Sequence, residues 1–250
     1  NGVMLSWSLG GYPSENLKLF QSFNRGENAN EVLKDLAMAE YGDKAAALVR
    51  EAWRACSESF KEYPYHSGVV YFGPQHMGPS NPLLIKPSGF HSTMVGQPHD
   101  DLDKWRAVYP TKVWIQQMER SAVGFAEGVK LLAKAREVVD EQHRGQLESL
   151  YRRAEAVRIH LQSAAEQGRF VEARNNYYFA RNSATRNEYI KIMREACAAE
   201  KKLITDALQV VSRDSSIGYE SSNHYFYVPI DLVEAYISIL HVERWLEKIS

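Results

Sequence analysis

One segment of the chain, Tyr71–Leu84, gathers side chains that suit ligand binding. Its candidate contacts are Gln75, His76 and Asn81, which carry hydrogen-bond donors and acceptors on short stems. The glycines and prolines around them favour a rigid loop that a ligand can approach closely, the usual setting of a binding site. A buried loop whose polar groups bond its own backbone explains the same residues equally well. The sequence leaves both interpretations open.

A second segment, Gly218–Tyr227, places Glu220, Asn223 and His224 among four aromatic residues. Aromatic faces beside amides suit a sugar or another polyol, which predicts a ligand-contacting loop. The favoured alternative is a buried loop whose polar groups bond backbone partners, as buried polar groups generally must.

A third polar segment, His99–Asp103, resembles a metal site by residue type only. Its spacing fails the calcium-loop pattern, which requires a glycine at the sixth position and a glutamate at the twelfth. Helix capping is the favoured interpretation, with Asp100 capping a short turn through Trp105. The chain also contains no phosphate-binding glycine loop, zincin motif, paired CxxC or nucleophile-elbow motif. We therefore assign no catalytic residue, no metal ligand and no cofactor.

Composition and charge are those of an ordinary globular protein. The 250 residues include 30 basic and 31 acidic side chains without a long basic run, which argues against a nucleic-acid partner. No apolar run reaches the roughly 18 residues of a membrane span, so a membrane partner is not expected either. Cys56 and Cys197 lie in amphipathic helical patterns, which favours buried free thiols over a disulfide.

The distribution of proline separates the regions that must position these groups. Seven of the nine prolines lie between Pro64 and Pro110, and none lies between Thr111 and Val228. Because proline costs about 3 kcal/mol inside a helix, only the second region is free to form long helices.

The sequence therefore predicts a mostly α protein in three parts. Residues 1–13 form a stub β-strand with its following loop. Residues 14–110 form a small helical unit and a long ordered loop, which is too long for a neutral connection and too aromatic for disorder. Residues 111–250 form a bundle of long helices, because apolar residues step by three and four along this region.

Helix boundaries follow from capping residues and helix breakers. Ser14, Asn30 and Asp43 are predicted to cap three short helices, the second ending at Gly42 and the third before Pro64. The four predicted helices of the bundle lie near 111–139, 142–166, 169–212 and 230–248.

The boundary between the second and third bundle helices has two predicted positions. Gly168 is the first, because glycine is a poor helix former. Asn182 is the alternative, because Thr185 and Glu188 follow it with capping-box spacing.

The N-terminal stretch Gly2–Asn16 resembles the last strand and following loop of a (β/α)8-barrel glycoside hydrolase. It runs from the apolar residues Val3–Leu5 to Trp7 and then turns at Gly10–Pro13. The stretch Arg213–Tyr227 is similar to a segment in the helical C-terminal regions of large glycoside-hydrolase-like proteins.

This resemblance implies that the chain is the C-terminal helical accessory region of a carbohydrate-active enzyme, a glycoside hydrolase. Its expected partners are a preceding barrel domain, absent from this chain, and a carbohydrate. Trp7 would carry the sugar on its ring, with Tyr12 in the neighbouring loop as a further contact. One strand cannot form a barrel, so the paired catalytic carboxylates would precede Asn1, and this chain alone should hydrolyse no glycoside.

Two rival functions also fit the sequence. One is a stand-alone helical module that binds another protein through its bundle. The other is an autonomous enzyme built on the loops Gln75–Asn81 and Glu220–His224. About 300 upstream residues in alternating strand and helix patterns would favour the barrel interpretation over the stand-alone module.

Overall fold

The computed structural model describes residues 15–23, 25–74, 77–91, 96–218 and 227–250. These residues contain eight α-helices: α1 Glu15–Phe23, α2 Ala29–Phe60, α3 Ser67–Phe72, α4 Leu102–Trp105, α5 Thr111–Val138, α6 Glu141–Phe179, α7 Ser183–Val211 and α8 Pro229–Lys248. A 3-10 turn, Gly78–Ser80, lies between α3 and α4. The predicted mostly α class is confirmed. The predicted stub strand at 1–13 lies outside the described residues.

The start of α2 corrects one predicted cap. Asn28 caps this helix, because its Oδ1 accepts hydrogen bonds from the backbone N–H groups of Asn30 at 2.9 Å and Glu31 at 3.4 Å. The predicted cap at Asn30 is therefore wrong, and the one at Ser14 lies outside the described residues. The predicted helix end at Gly42 appears as a kink within α2, where φ is 75°, a conformation that glycine adopts readily.

The first predicted boundary within the bundle is wrong, and the alternative is confirmed. Helix α6 continues through Gly168. A Cβ atom at this glycine would lie 2.8 Å from Trp114 Cζ3 and 3.0 Å from Ile115 Cγ1, so the missing side chain allows α5 and α6 to pack closely. The break occurs at Asn182, whose Oδ1 accepts from the Thr185 N–H at 2.8 Å and caps α7.

Two apolar clusters fill the bundle, and α6 passes through both. The first joins α2, α5 and the first half of α6, and its members include Tyr41, Val49, Leu132, Leu147 and Leu150. The second joins α5, α7, α8 and the second half of α6, and its members include Trp114, Phe170, Met193, Ile204 and Ile239.

Among the described helices, none combines the length and the apolar character that a membrane span requires.

Both cysteines are free thiols in the structure. Cys197 is fully buried in α7, and burial raises the pKa of its thiol to about 12. Cys56 is half-buried in α2, and burial raises its pKa to about 11. Neither thiol therefore carries appreciable thiolate at neutral pH, which makes both poor nucleophiles.

The chain between α2 and α5 packs against the second half of α6. Leu83, Leu102 and Trp105 enter the second apolar cluster from this side. The Trp105 indole also donates a hydrogen bond to the Pro98 carbonyl at 2.6 Å. This anchoring gives the connecting segment a fixed place beside α6, where the candidate site is found.

Candidate functional site

A pocket of about 350 Å³ lies between the segment 87–103 and the C-terminal part of α6. The segment contributes an aromatic ring, an imidazole and acidic side chains, while α6 contributes a carboxylate, a guanidinium and two amides. The residues that line it are Pro87, Gly89, Phe90, His91, Pro98, Asp100, Asp101, Leu102, Asp103, Thr111, Glu172, Arg174, Asn175 and Asn176.

A buried ion pair forms the base of this pocket. Arg174 is fully buried, and its Nη1 donates to Asp100 Oδ2 at 2.8 Å and to the Leu84 carbonyl at 3.0 Å. Its Nε and Nη2 also donate to Asn175 Oδ1. Burial lowers the pKa of Arg174, and the hydrogen bond to Asp100 opposes this shift. Because acceptors of the protein bind its donor groups, Arg174 has a structural role and is not a candidate anion-binding residue.

Asp100 in turn fixes the segment that carries the aromatic ring. Its two carboxylate oxygens accept hydrogen bonds from the Ser88 backbone N–H at 2.9 Å and the Ser88 hydroxyl at 3.0 Å. The Phe90 carbonyl then accepts from the His99 N–H at 3.0 Å, beside an antiparallel bridge between His91 and Pro98. These contacts hold Phe90 at the pocket although 66% of its surface is exposed to solvent.

The predicted capping role of Asp100 is wrong, because its neighbour takes that role. Asp101 Oδ1 accepts from the Lys104 N–H at 3.2 Å and caps α4. Asp103 is engaged too, accepting from Arg106 Nη2 at 2.7 Å. Asp100 is buried and points instead to Arg174, 74 positions along the chain, a partner that local sequence cannot reveal.

Several polar groups of α6 remain available at the pocket. Glu172 is half-buried and Asn176 is exposed, and the side chain of neither forms a hydrogen bond or ion pair with another described residue. The Oδ1 of Asn175 is occupied by Arg174, which leaves its Nδ2 as a donor. The pocket therefore presents a carboxylate acceptor and amide donors beside the exposed ring of Phe90.

A chain of buried hydrogen bonds runs from the pocket segment into the bundle. Asn81 Nδ2 donates to Gln167 Oε1 at 2.8 Å, and Gln167 Nε2 donates to Ser163 Oγ at 2.8 Å. The Ser163 hydroxyl then donates to Glu200 Oε2 at 3.0 Å. At the other end, Asn81 Oδ1 can only accept, so His99 Nδ1, 2.8 Å away, carries the hydrogen. Burial lowers the pKa of His99, which favours this neutral tautomer.

This series of hydrogen bonds ends at Glu200, which is fully buried in α7. Burial raises the pKa of its carboxyl well above the usual value, and the nearby Glu166 raises it further. Its second oxygen, Oε1, is buried and forms no hydrogen bond within the described part of the chain. Glu200 is therefore a protonation-sensitive point inside the bundle.

Of the predicted ligand contacts, only Asn81 belongs to the described residues. The others lie outside them: Trp7, Tyr12, Gln75, His76, Glu220, Asn223 and His224. Asn81 is buried, with its amide bonded to Gln167 and to the His99 carbonyl. Its side chain therefore fixes the segment 77–99 on α6, and a direct ligand contact by Asn81 stays a prediction.

A second and larger pocket lies among α1, α2, α5 and α6. This groove measures about 980 Å³, and its walls are mainly apolar: Leu19, Leu33, Trp53, Phe60, Phe125, Leu132, Leu150 and Val157. Arg153 and Glu15 form an ion pair at 3.2 Å in this groove, and the Tyr41 hydroxyl also donates a hydrogen bond to Glu15. The smaller pocket is the better candidate site, because hydrogen bonds from Ser88 to the buried Asp100 hold its exposed ring in place beside polar groups of α6.

The pocket residues Phe90, Glu172 and Asn175 were not predicted as ligand contacts. Phe90 lies in the predicted long loop, whose candidates were polar side chains only. One signal in the sequence was available: Arg174 follows Phe170 by one helical turn, so a charged residue interrupts an apolar stripe of α6.

Comparison with protein families, curated proteins and solved structures finds no match to this chain.

Proposed function

We propose that this chain is a helical accessory domain of a carbohydrate-active enzyme and that it binds sugar at the pocket between 87–103 and α6. The observation that carries the proposal is the exposed Phe90 ring held beside Glu172, Asn175 and Asn176. A pyranose presents C–H groups on its faces and hydroxyl groups around its edge. An aromatic ring next to a carboxylate and amides complements both features.

The fixed position of the ring supports this proposal. A side chain as exposed as Phe90 loses little water-exposed area within the protein itself, so burial alone does not account for its placement. The backbone beneath it is nevertheless tied to the buried pair of Asp100 and Arg174 through Ser88. Rigid presentation of a contact residue reduces the entropy that binding would otherwise have to overcome.

The test is binding to a panel of soluble oligosaccharides and polysaccharides, measured by isothermal titration calorimetry. Phe90→Ala should weaken binding of any hit by about tenfold or more, the range for removing a central aromatic contact. Phe60→Ala is the matched control, because this phenylalanine is 53% exposed and lines the apolar groove. Equal loss in both variants, or no binding by the unaltered chain across the panel, would reject the sugar site.

The parent enzyme in this proposal is a barrel glycoside hydrolase, supported by the resemblance at Gly2–Asn16. In the enzyme with its barrel, Trp7→Ala should reduce kcat/KM far more than it lowers the melting temperature. The chain alone should hydrolyse no chromogenic glycoside, because the catalytic carboxylates belong to the barrel. Turnover by the chain that disappears in Glu220→Gln would instead favour an autonomous enzyme.

A stand-alone protein-interaction module is the second candidate function. The observation that favours it is the set of exposed apolar side chains on α8: Ile230, Val233, Ile237 and Leu240. The oligosaccharide titration distinguishes the two candidate functions, because a protein-interaction module needs no affinity for sugar.

A further inference from the structure

Helix α8 is apolar on two opposite faces. Its inner face consists of residues that are at most 1% exposed: Leu232, Ala235, Ile239, Val242 and Leu246. Its outer face, called here the outer stripe, consists of Ile230, Val233, Ile237 and Leu240, which are 69%, 42%, 59% and 37% exposed. At about 100° per residue, the two sets lie on opposite sides of the helix.

The inner face is accounted for by the bundle, since these residues belong to the second apolar cluster. The outer stripe has no such partner among the described residues. A contiguous row of exposed apolar side chains often marks an interaction site. The neighbouring helix α7 shows the ordinary pattern, because along its fully described length it exposes no large apolar side chain.

The outer stripe has the spacing of a helix-pairing seam. Its residues follow one another by three, four and three positions, as the a and d positions of a heptad do. Isoleucine occupies both a positions, Ile230 and Ile237. Such a seam is self-complementary, because the same side chains can interdigitate with those of an identical helix.

Charge along α8 indicates the relative direction of two such helices. Asp231 and Glu234 lie near its start. Its end carries Glu243, which pairs with Lys201, and the exposed residues Arg244, Glu247 and Lys248, of which Arg244 continues the outer stripe one heptad beyond Ile237. Burial and the neighbouring Glu234 raise the pKa of Asp231, and within the described part of the chain neither carboxylate forms an ion pair. Arg244 forms no ion pair with another residue that the structure describes.

We propose that two copies of this chain associate through the outer stripe, with their α8 helices antiparallel. In a pair centred on Ile237, Arg244 of one copy lies level with Ile230 of the other, next to Asp231 and one turn from Glu234. A parallel pair would place Arg244 against its own counterpart. The contact is small, so the dimer should be weak, with a Kd in the micromolar range. This inference does not depend on sugar binding.

The test is sedimentation equilibrium of the 250-residue chain across a micromolar concentration series. The average mass should rise above 28.5 kDa with concentration. Ile237→Glu should raise the Kd by about tenfold or more, since a buried charge opposes the contact. Val123→Glu is the matched control, because Val123 is 55% exposed on α5 and should leave the dimer intact. Circular dichroism checks that both variants keep their helices.

A charge exchange tests the antiparallel direction. Glu234→Arg and Arg244→Glu should each weaken the dimer, and the double variant should recover most of the lost affinity because the attraction is restored with reversed signs. An average mass that stays that of the monomer at every concentration overturns the proposal. This result is also the one expected if a different protein covers the outer stripe. Persistent dimers in Ile237→Glu, equal loss in Val123→Glu, or no recovery in the double variant overturn it as well.

Discussion

The two halves of α6 bury different chemistry. Over its first half, the buried residues are all apolar, namely Leu147, Leu150, Ala154 and Ile159, and two of them, Leu150 and Ala154, line the open groove. Over its second half, Ser163, Gln167 and Arg174 are buried among apolar residues and bond to segments distant in sequence. Both halves of α6 therefore pack by apolar contact, and only the second half adds fully buried polar side chains that bond distant segments.

This difference explains where the candidate site is found. Apolar packing is non-directional, whereas a hydrogen bond joins a loop to a helix at particular atoms. Hydrogen bonds from Gln167 and Arg174 reach Gly78, Leu84 and Asp100, and they fix the segment between α3 and α4 at three points. The pocket lies where these directed contacts are buried, whereas the ion pair of α6 at the larger groove, Arg153 with Glu15, is partly exposed.

The largest expected effect comes from breaking the buried ion pair. Arg174→Met should lower the free energy of unfolding by about 3–5 kcal/mol, because it leaves the Asp100 carboxylate buried without its cation. Urea denaturation measures this change. The matched control on the same helix is Arg144→Met, whose exposed pair with Glu141 should contribute at most about 1 kcal/mol. Similar losses in both variants would remove the distinction between the two ends of α6.

Large-to-small changes in the apolar residues should also differ between the two halves. Leu161→Ala should cost about 2–5 kcal/mol, because Leu161 is buried in the second cluster and its removal leaves a closed cavity. The same range is expected for Ile204→Ala in that cluster. Leu150→Ala should cost about 2 kcal/mol or less, because Leu150 lines the open groove. A urea midpoint equal to that of the unaltered protein in Leu161→Ala would show that this stripe is not core.

Glu200, which accepts a hydrogen bond from Ser163 in the second half of α6, gives the stability of the bundle a pH dependence. Its folded pKa is raised above 4.5, so its contribution to stability is complete below that pH and is lost as the pH rises towards the folded pKa. Glu200→Gln removes the ionisation and should gain stability relative to the unaltered protein between pH 5 and pH 8. The gain is limited to about 1.4 kcal/mol per pH unit for one proton. Urea midpoints that differ by the same amount at both pH values would contradict this interpretation.

The smallest effect on stability is expected at the exposed ring of the pocket. Phe90→Ala should change the free energy of unfolding by less than about 0.5 kcal/mol, as is usual for exposed positions. Thermal unfolding of this variant beside Phe60→Ala is the measurement. A loss of several degrees in Phe90→Ala alone would make the ring a structural element of the segment rather than a ligand contact.

The sequence predicted the long helices well because their apolar periodicity is local information. It failed at Gly168, because the reason for that glycine is the Trp114 ring on another helix. It also failed at Asp100, where the capping pattern was sound but belonged to Asp101, and where the true partner is Arg174. The pocket lies within the predicted ordered loop region, yet its contacts depend on pairings that only the folded chain brings together.

The most direct test of the central claim is chemical-shift mapping of the isotopically labelled chain with a bound oligosaccharide. If sugar binds at the pocket, the shifts should concentrate on the Phe90 ring and the side-chain amides of Asn175 and Asn176. The groove residues Trp53 and Phe125 should remain unchanged. Shifts centred on the groove, or none at Phe90 when every tested sugar is in excess, would contradict a sugar-binding role for this pocket.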